Sequence, residues 1–327
     1  MRLTSAAAAA CLALASPALA QADLCLTLSG TITSPAPALV HAIRDPAATI
    51  AACRAAVQEA PGQGLPAILL ARALLAADPD DPEVLPLLSG ARETAQPLAD
   101  WMIGQLYEYG LAGLPPSERQ ARDLYAATCT TGGGATDAAP ACAALALMQI
   151  EERGGPADET GGFTLLRTLC DDGFGPACTE SAFQGELRGD ARPEDLAALL
   201  AQGCAAGDLL GCSQYAFRLE LGEGVAPDIA AARALYDLAC EGGEPTGCTG
   251  LGEVYRSGLG VRPDMAAAVR YFDLGCAGHD SYACVTLGDM LANGRGVPVD
   301  RPRAQALFDQ ACALGDPEGC DLADTLR

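Results

Sequence analysis

The residues best suited to chemistry in this chain are its cysteines, 15 in all, and their spacing narrows what they can do. Five pairs share one spacing, Cys-x7-Cys: Cys170 and Cys178, Cys204 and Cys212, Cys240 and Cys248, Cys276 and Cys284, Cys312 and Cys320. Structural zinc favours cysteines about two to four residues apart, and thiol–disulfide catalysis favours Cys-x-x-Cys. Neither pattern occurs. Disulfide staples are left. In each pair the first cysteine closes one helical pattern and the second opens the next, across a glycine-rich turn such as EGGEPTG (241–247). Helix ends joined by so short a turn lie near the Cα separation a disulfide needs. Local pairing is therefore favoured, at about 2–3 kcal/mol per closure as an upper, model-dependent figure. Pairing the first and last cysteines of one unit, as in Cys212 with Cys240, stays open, because antiparallel helices bring those together too. Cys25 is assigned to Cys53, and Cys129 and Cys142 flank the glycine-rich TTGGGATDAAPA.

Other catalytic chemistry finds little footing. The chain has no lysine, so Schiff-base, P-loop and Ser-x-x-Lys mechanisms are excluded. His41 and His279 are the only histidines, and neither H-E-x-x-H nor G-x-S-x-G is present. The tripeptide His279, Asp280, Ser281 reads as a solvated turn inside the 276/284 staple, since triads are built in space rather than in sequence. Carboxylates abound, but no acid/base pair stands out. No catalytic residue, metal site or cofactor is expected. The formal charge of −22 disfavours nucleic acid and anionic lipid as partners. It suits a basic partner or divalent cations, and a generally acidic solubilising surface explains it equally well.

The elements that position these cysteines repeat. Cys204, Cys240, Cys276 and Cys312 are each 36 residues apart, as are Cys212, Cys248, Cys284 and Cys320. Such a period is the mark of a stacked solenoid. Within a unit, Leu251 and Tyr255 (or Leu287 and Leu291) fall on one helical face, with Gly252 or Gly288 between them where two helices can approach closely. The turn carries two glycines, as at Gly258 and Gly260, that permit positive φ. Asp228, Asp264 and Asp300 stand where the second helix needs an N-cap. Leu235, Tyr236 and Ala239 give that helix its own inward stripe. The expected fold is all-α: an α/α solenoid, a right-handed superhelix of helix-turn-helix units stapled by disulfides.

Three regions are expected. Residues 1–20 read as a secretory signal peptide, with Arg2, an apolar run from Ala6 to Ala15, and a cut after Ala20. Its removal takes Cys11 away and leaves 14 cysteines, an even number that fits an oxidising compartment, a bacterial periplasm or the outside of the cell. Residues 21–96 read as an extended arm containing TSPAPA followed by three helices, the third of them EVLPLLSGARETA. Residues 97–327 hold the array, ending in a polar half-unit, DLADTLR. No other stretch approaches the roughly 18 apolar residues of a membrane span.

Residues 251–276, LGEVYRSGLGVRPDMAAAVRYFDLGC, resemble the Sel-one-like repeat, a relative of the tetratricopeptide repeat, nearly position for position. The Cys-x7-Cys staple is similar to that of the cysteine-rich branch typified by the Helicobacter cysteine-rich proteins. The resemblance extends over about 97–327, clearest from 212 onward and degraded at 142–204. It implies a superhelical scaffold for protein–protein interaction. Some cysteine-rich members also bind or slowly hydrolyse penicillin-like β-lactams, which makes a β-lactam or peptidoglycan-fragment binding protein with slight hydrolase activity the alternative. That activity transfers to no identifiable residue here.

A binding role has candidate residues. Helical arrays present a groove lined by the first helix of each unit. Two, five and nine residues after the leading cysteine, side chains share a face and vary between units: Gln214, Phe217, Leu221; Gly250, Glu253, Ser257; Thr286, Asp289, Asn293. Phe217 and Leu221 are read as an apolar contact in an otherwise acidic groove, or as packing against the irregular unit 178–204. The expected function is a non-catalytic envelope scaffold with a protein partner.

Overall fold

The computed structural model describes residues 23–28, 43, 45–131, 136–189 and 191–326. The expected signal peptide, His41 and the proline-rich piece lie outside the described residues.

Among the described residues the chain is helical throughout, with no strand. A short helix, α1 (23–28), opens it, so this part of the arm is not extended as expected. Its Thr27 hydroxyl donates to the Asp23 carbonyl at 2.7 Å, and Cys25 is bonded to Cys53, which ties the turn to the next helix. That helix, α2 (Pro46–Glu59), is followed by α3 (Gly64–Ala77) and the long α4 (Val84–Tyr109). Helix α4 is two helical segments that meet at Ala95 (φ −141°, ψ 47°), where the third expected helix gives way to the first helix of the array. The break has a cause two residues on. Pro97 has no N–H to return to the Glu93 carbonyl, so the ladder breaks and restarts.

From α4 onward, helices alternate as pairs: α5 (Glu118–Thr131), α6 (Ala139–Ile150), α7 (Glu159–Asp171), α8 (Gly175–Arg188), α9 (Pro193–Ala205), α10 (Leu209–Leu221), α11 (Ile229–Glu241), α12 (Pro245–Ser257), α13 (Met265–Ala277), α14 (Ser281–Asn293), α15 (Arg301–Ala313) and α16 (Pro317–Leu326). Local chemistry sets these limits. Asp228, Asp264 and Asp300 each accept a bond from the backbone N–H three residues on, at 3.0, 3.0 and 3.1 Å. Gly258 and Gly260 lie at φ +75° and +68°, where a side chain would be strained.

Packing within a unit turns on one small residue. A Cβ added at Gly252 would lie 2.6 Å from the Phe272 ring, and one at Gly288 would lie 2.5 Å from Phe308. The aromatic ring of the second helix rests directly on the backbone of the first, flanked by buried Leu251 and Leu287.

Helices α8, α10 and α12 pack side by side across units, as do α4 with α6 and α14 with α16, and no two second helices approach to the same extent. First helices therefore line the inner face of the curve. Disulfides join Cys170–Cys178, Cys204–Cys212, Cys240–Cys248, Cys276–Cys284 and Cys312–Cys320, with Cα atoms 4.3–4.7 Å apart, and Cys129–Cys142 at 4.9 Å. The local alternative holds, and each staple spans the junction between one unit and the next.

Candidate functional site

A recess of about 310 Å³ opens on the inner face where three units meet. Helix α10 contributes Ser213, Gln214, Phe217 and Glu220, one stripe at helical spacing. Helix α12 supplies Thr246, Thr249, Gly250 and Glu253, and the start of α14 supplies Asp280 and Tyr282. Tyr236 reaches in from α11, behind the first helices. It can do so because Gly250 has no side chain: a Cβ there would collide with the Tyr236 ring.

Hydrogen bonds hold the walls. The Tyr236 hydroxyl donates to Glu220 Oε2 at 3.1 Å, and the Tyr282 hydroxyl donates to Glu253 Oε1 at 2.9 Å, linking α14 to α12. Arg256 donates twice to Glu253 Oε2, at 2.6 and 2.9 Å. The floor is a seam of hydroxyls and N-cap carboxylates. Thr249 donates to Asp280 Oδ2 at 2.6 Å, Ser213 and Thr246 share a bond of 2.6 Å, and Thr246 donates to Glu244 at 3.0 Å.

The seam continues into the preceding units, where Thr179 donates to Asp208 at 2.5 Å. Thr179 and Thr249, each following a unit's leading cysteine, bond the N-cap acid of the next unit's first helix directly, and Ser213 reaches Glu244 only through Thr246. Partial burial disfavours the charged form of Asp208, Glu244 and the neighbouring Glu180. Burial pushes Glu180 up to about 7, with the fields of Asp208 and Glu151 adding. Burial likewise raises Asp208 and Glu244 above the usual range. Inside the recess, burial raises Glu220, and the charge of Glu253 adds to it. The Tyr236 phenol is held neutral, by burial first and by Glu220 second.

Of the residues read from sequence, Gln214, Phe217, Gly250 and Glu253 come together in this recess. Leu221 stands 51% exposed one turn beyond Phe217, which is 47% exposed, so neither is buried against unit 178–204. Ser257 donates to the Glu253 carbonyl, and Asp289 is engaged by Asn293 and Arg295 at 2.7 Å each. Thr286, Asp289 and Asn293 lie further along α14, outside the recess lining. Sequence reasoning missed Ser213, Glu220, Tyr236, Thr246, Thr249, Asp280 and Tyr282. A signal existed for some: an acid recurs at Asp208, Glu244, Asp280 and Asp316, every 36 residues, beside a hydroxyl at Thr179, Ser213 and Thr249. Among the described residues no cluster of His, Cys, Asp and Glu is placed to hold a metal ion.

The Sel1 repeat family model matches residues 97–130, 210–244, 245–280 and 281–316. The chain carries Sel1 repeats. The recess lies in two of these matched repeats and the start of a third. A search of curated proteins finds no match. In fold the chain is similar to a Sel1 repeat protein from Oxalobacter formigenes, with TM-score 0.56 and 17% identity over 76% of this chain and 96% of that one. It is similar also to c5321, described as a protective antigen of uropathogenic Escherichia coli with an SLR fold, with TM-score 0.50 and 17% identity over 86% and 60%. A third similar structure is immunity protein Pa5087 from Pseudomonas aeruginosa, with TM-score 0.50 and 14% identity over 68% and 84%. The seven disulfides among the described residues suit an oxidising, extracytoplasmic compartment. No helix among the described residues is long and apolar enough to cross a membrane.

Proposed function

We propose that this chain is an exported, non-catalytic scaffold that holds protein partners in the bacterial envelope through the inner face of its Sel1 array. Sel1-repeat proteins are protein-interaction scaffolds, and the reading rests on that together with one feature of this chain. The recess is open, assembled from three units, and rimmed by aromatic side chains left half-exposed, Phe217 and Tyr282. Half-exposed aromatics around a polar floor are what interface hot spots are made of. The β-lactam alternative gains nothing from this recess. Its described lining holds three carboxylates and no basic residue, a poor match for a ligand that itself carries a carboxylate.

The test is site-specific photo-cross-linking with the oxidised protein in envelope extract. A photoreactive residue at Phe217 is expected to trap a defined protein, while one at Leu238, exposed on the second helix α11, traps none. Equal trapping from both positions, or none from Phe217, overturns the reading.

A further inference from the structure

The carboxylates of the recess differ in how they are compensated. Glu253 has Arg256 as a partner. Glu220 has the Tyr236 hydroxyl as its hydrogen-bond donor, and Asp280 has the Thr249 hydroxyl and the Ala283 N–H. Neither Glu220 nor Asp280 is joined to a cation among the described residues. Two anions in a half-enclosed site, with a third whose single positive partner sits at the rim, leave net negative charge where water is partly excluded. Such a site gains by admitting a cation, and it gains more if aromatic faces flank the entry. Phe217 and Tyr282 occupy that position. A bare metal ion does not fit, since the acids do not converge into a coordinating cluster. An organic cation does: a planar guanidinium or an ammonium on an aliphatic stem can place its charge between carboxylates and its stem along an aromatic ring.

We propose that the recess receives an arginine or lysine side chain presented by a basic peptide segment of the partner, with the charge between Glu220 and Asp280 and the flanking peptide along Phe217 and Leu221. This rests on the scaffold reading and specifies the partner's chemistry. Charge complementarity commits the site to such an occupant: the chain carries −22 overall, with no lysine. Exposed Leu221 extends the rim beyond Phe217 and gives a peptide, unlike a small free cation, a second point of contact.

The experiment uses the oxidised full chain and pools of randomised short peptides that differ only in a fixed central residue: arginine, lysine, glutamine or glutamate. Fluorescence anisotropy is expected to show binding for the arginine and lysine pools, weakening as salt rises. Glu220→Gln is expected to weaken it about tenfold, the size of one lost charge-assisted contact. Phe217→Ala weakens it too, and thermal denaturation checks that both variants stay folded. Binding also falls with pH as Glu220 protonates, from a point above the ordinary glutamate range. Equal binding of the glutamine pool, or an unchanged affinity in Glu220→Gln, overturns the cation pocket and leaves the scaffold standing if Phe217 still cross-links a protein. Spermine competing with the basic pools supports the charge assignment. Spermine binding with no peptide pool binding overturns the peptide occupant. No pool binding and no cross-link from Phe217 removes both readings.

Discussion

The N-terminal helices and the C-terminal units solve the same problem with different means. Helices α1–α6 share one continuous core in which Trp101, Leu88, Leu106, Met102, Tyr125 and Met148 are fully buried, with Arg72 enclosed beside it. Burial lowers the Arg72 pKa to about 10. Beyond α6 the core divides into separate clusters, the sparsest being Ala182, Leu196 and Leu200. A staple appears at every junction there. From α2 to α5, where many large side chains interdigitate, neighbouring helices are fixed without a staple between them, and bridges stand only at the ends of this region, Cys25–Cys53 and Cys129–Cys142; farther on, a covalent link at each turn replaces part of the buried area. Stability in the first region is expected to live in side-chain volume, and in the second in connectivity.

Several measurements would break or sharpen that contrast. Trp101→Ala empties the largest buried side chain of the N-terminal core and is expected to cost about 3–5 kcal/mol in denaturant unfolding. A smaller loss would mean that this core is looser than its burial implies. Replacing Cys240 and Cys248 together by serine removes one C-terminal staple and is expected to cost about 2–3 kcal/mol by loop-entropy arithmetic. In an array of nearest-neighbour units the loss should be local, with amide exchange speeding in α11 and α12 before α4. Uniform loss of protection would show that the two regions unfold as one.

Gly252→Ala places a methyl group against the Phe272 ring and is expected to cost about 1–3 kcal/mol. A neutral result would show that the helix pair can slide apart. The seam of partly buried acids gives a pH test. Because Glu180 is raised to about 7, the folded state binds a proton the unfolded state has released. That contribution is fully present below about 4.5 and is lost as pH rises through about 7. Glu180→Gln should therefore raise the melting temperature above neutrality and flatten its slope between those values. An unchanged slope would remove Glu180 from the seam's electrostatics. The smallest effect belongs to the exposed pair Arg303–Asp273, 2.7 Å apart, whose deletion should cost less than about 1 kcal/mol.

The regular units were legible because their signals are local: a cysteine, a small residue, a pair of turn glycines and an aspartate cap recur at fixed offsets and each acts within a few residues. Positions whose role depends on a neighbouring unit were not. Tyr236 reads as a core aromatic in its own helix, and only the stacked geometry brings its hydroxyl to Glu220. Tyr282 reads as an ordinary residue at a helix start until α14 docks beside α12 and the phenol meets Glu253. The groove reading considered only one stripe on each first helix, so it found Gln214, Phe217 and Glu253 but missed the contributions from helix starts and from the second helix behind. The break at Ala95 was legible for the same reason as the caps: Pro97 acts locally, and the expected division between residues 21–96 and 97–327 falls beside it.

Every disulfide described joins a cysteine to the next one along the chain, from Cys25–Cys53 to Cys312–Cys320. Covalently the molecule is a string of separate rings, none enclosing another. A polypeptide entering an oxidising compartment with its N-terminus leading would present both partners of each bridge before the first member of the following one. Oxidation in order of emergence then yields the native set with nothing to undo. Proofreading by disulfide isomerisation is built out of the connectivity itself, and the array can be completed while its distal end is still in transit.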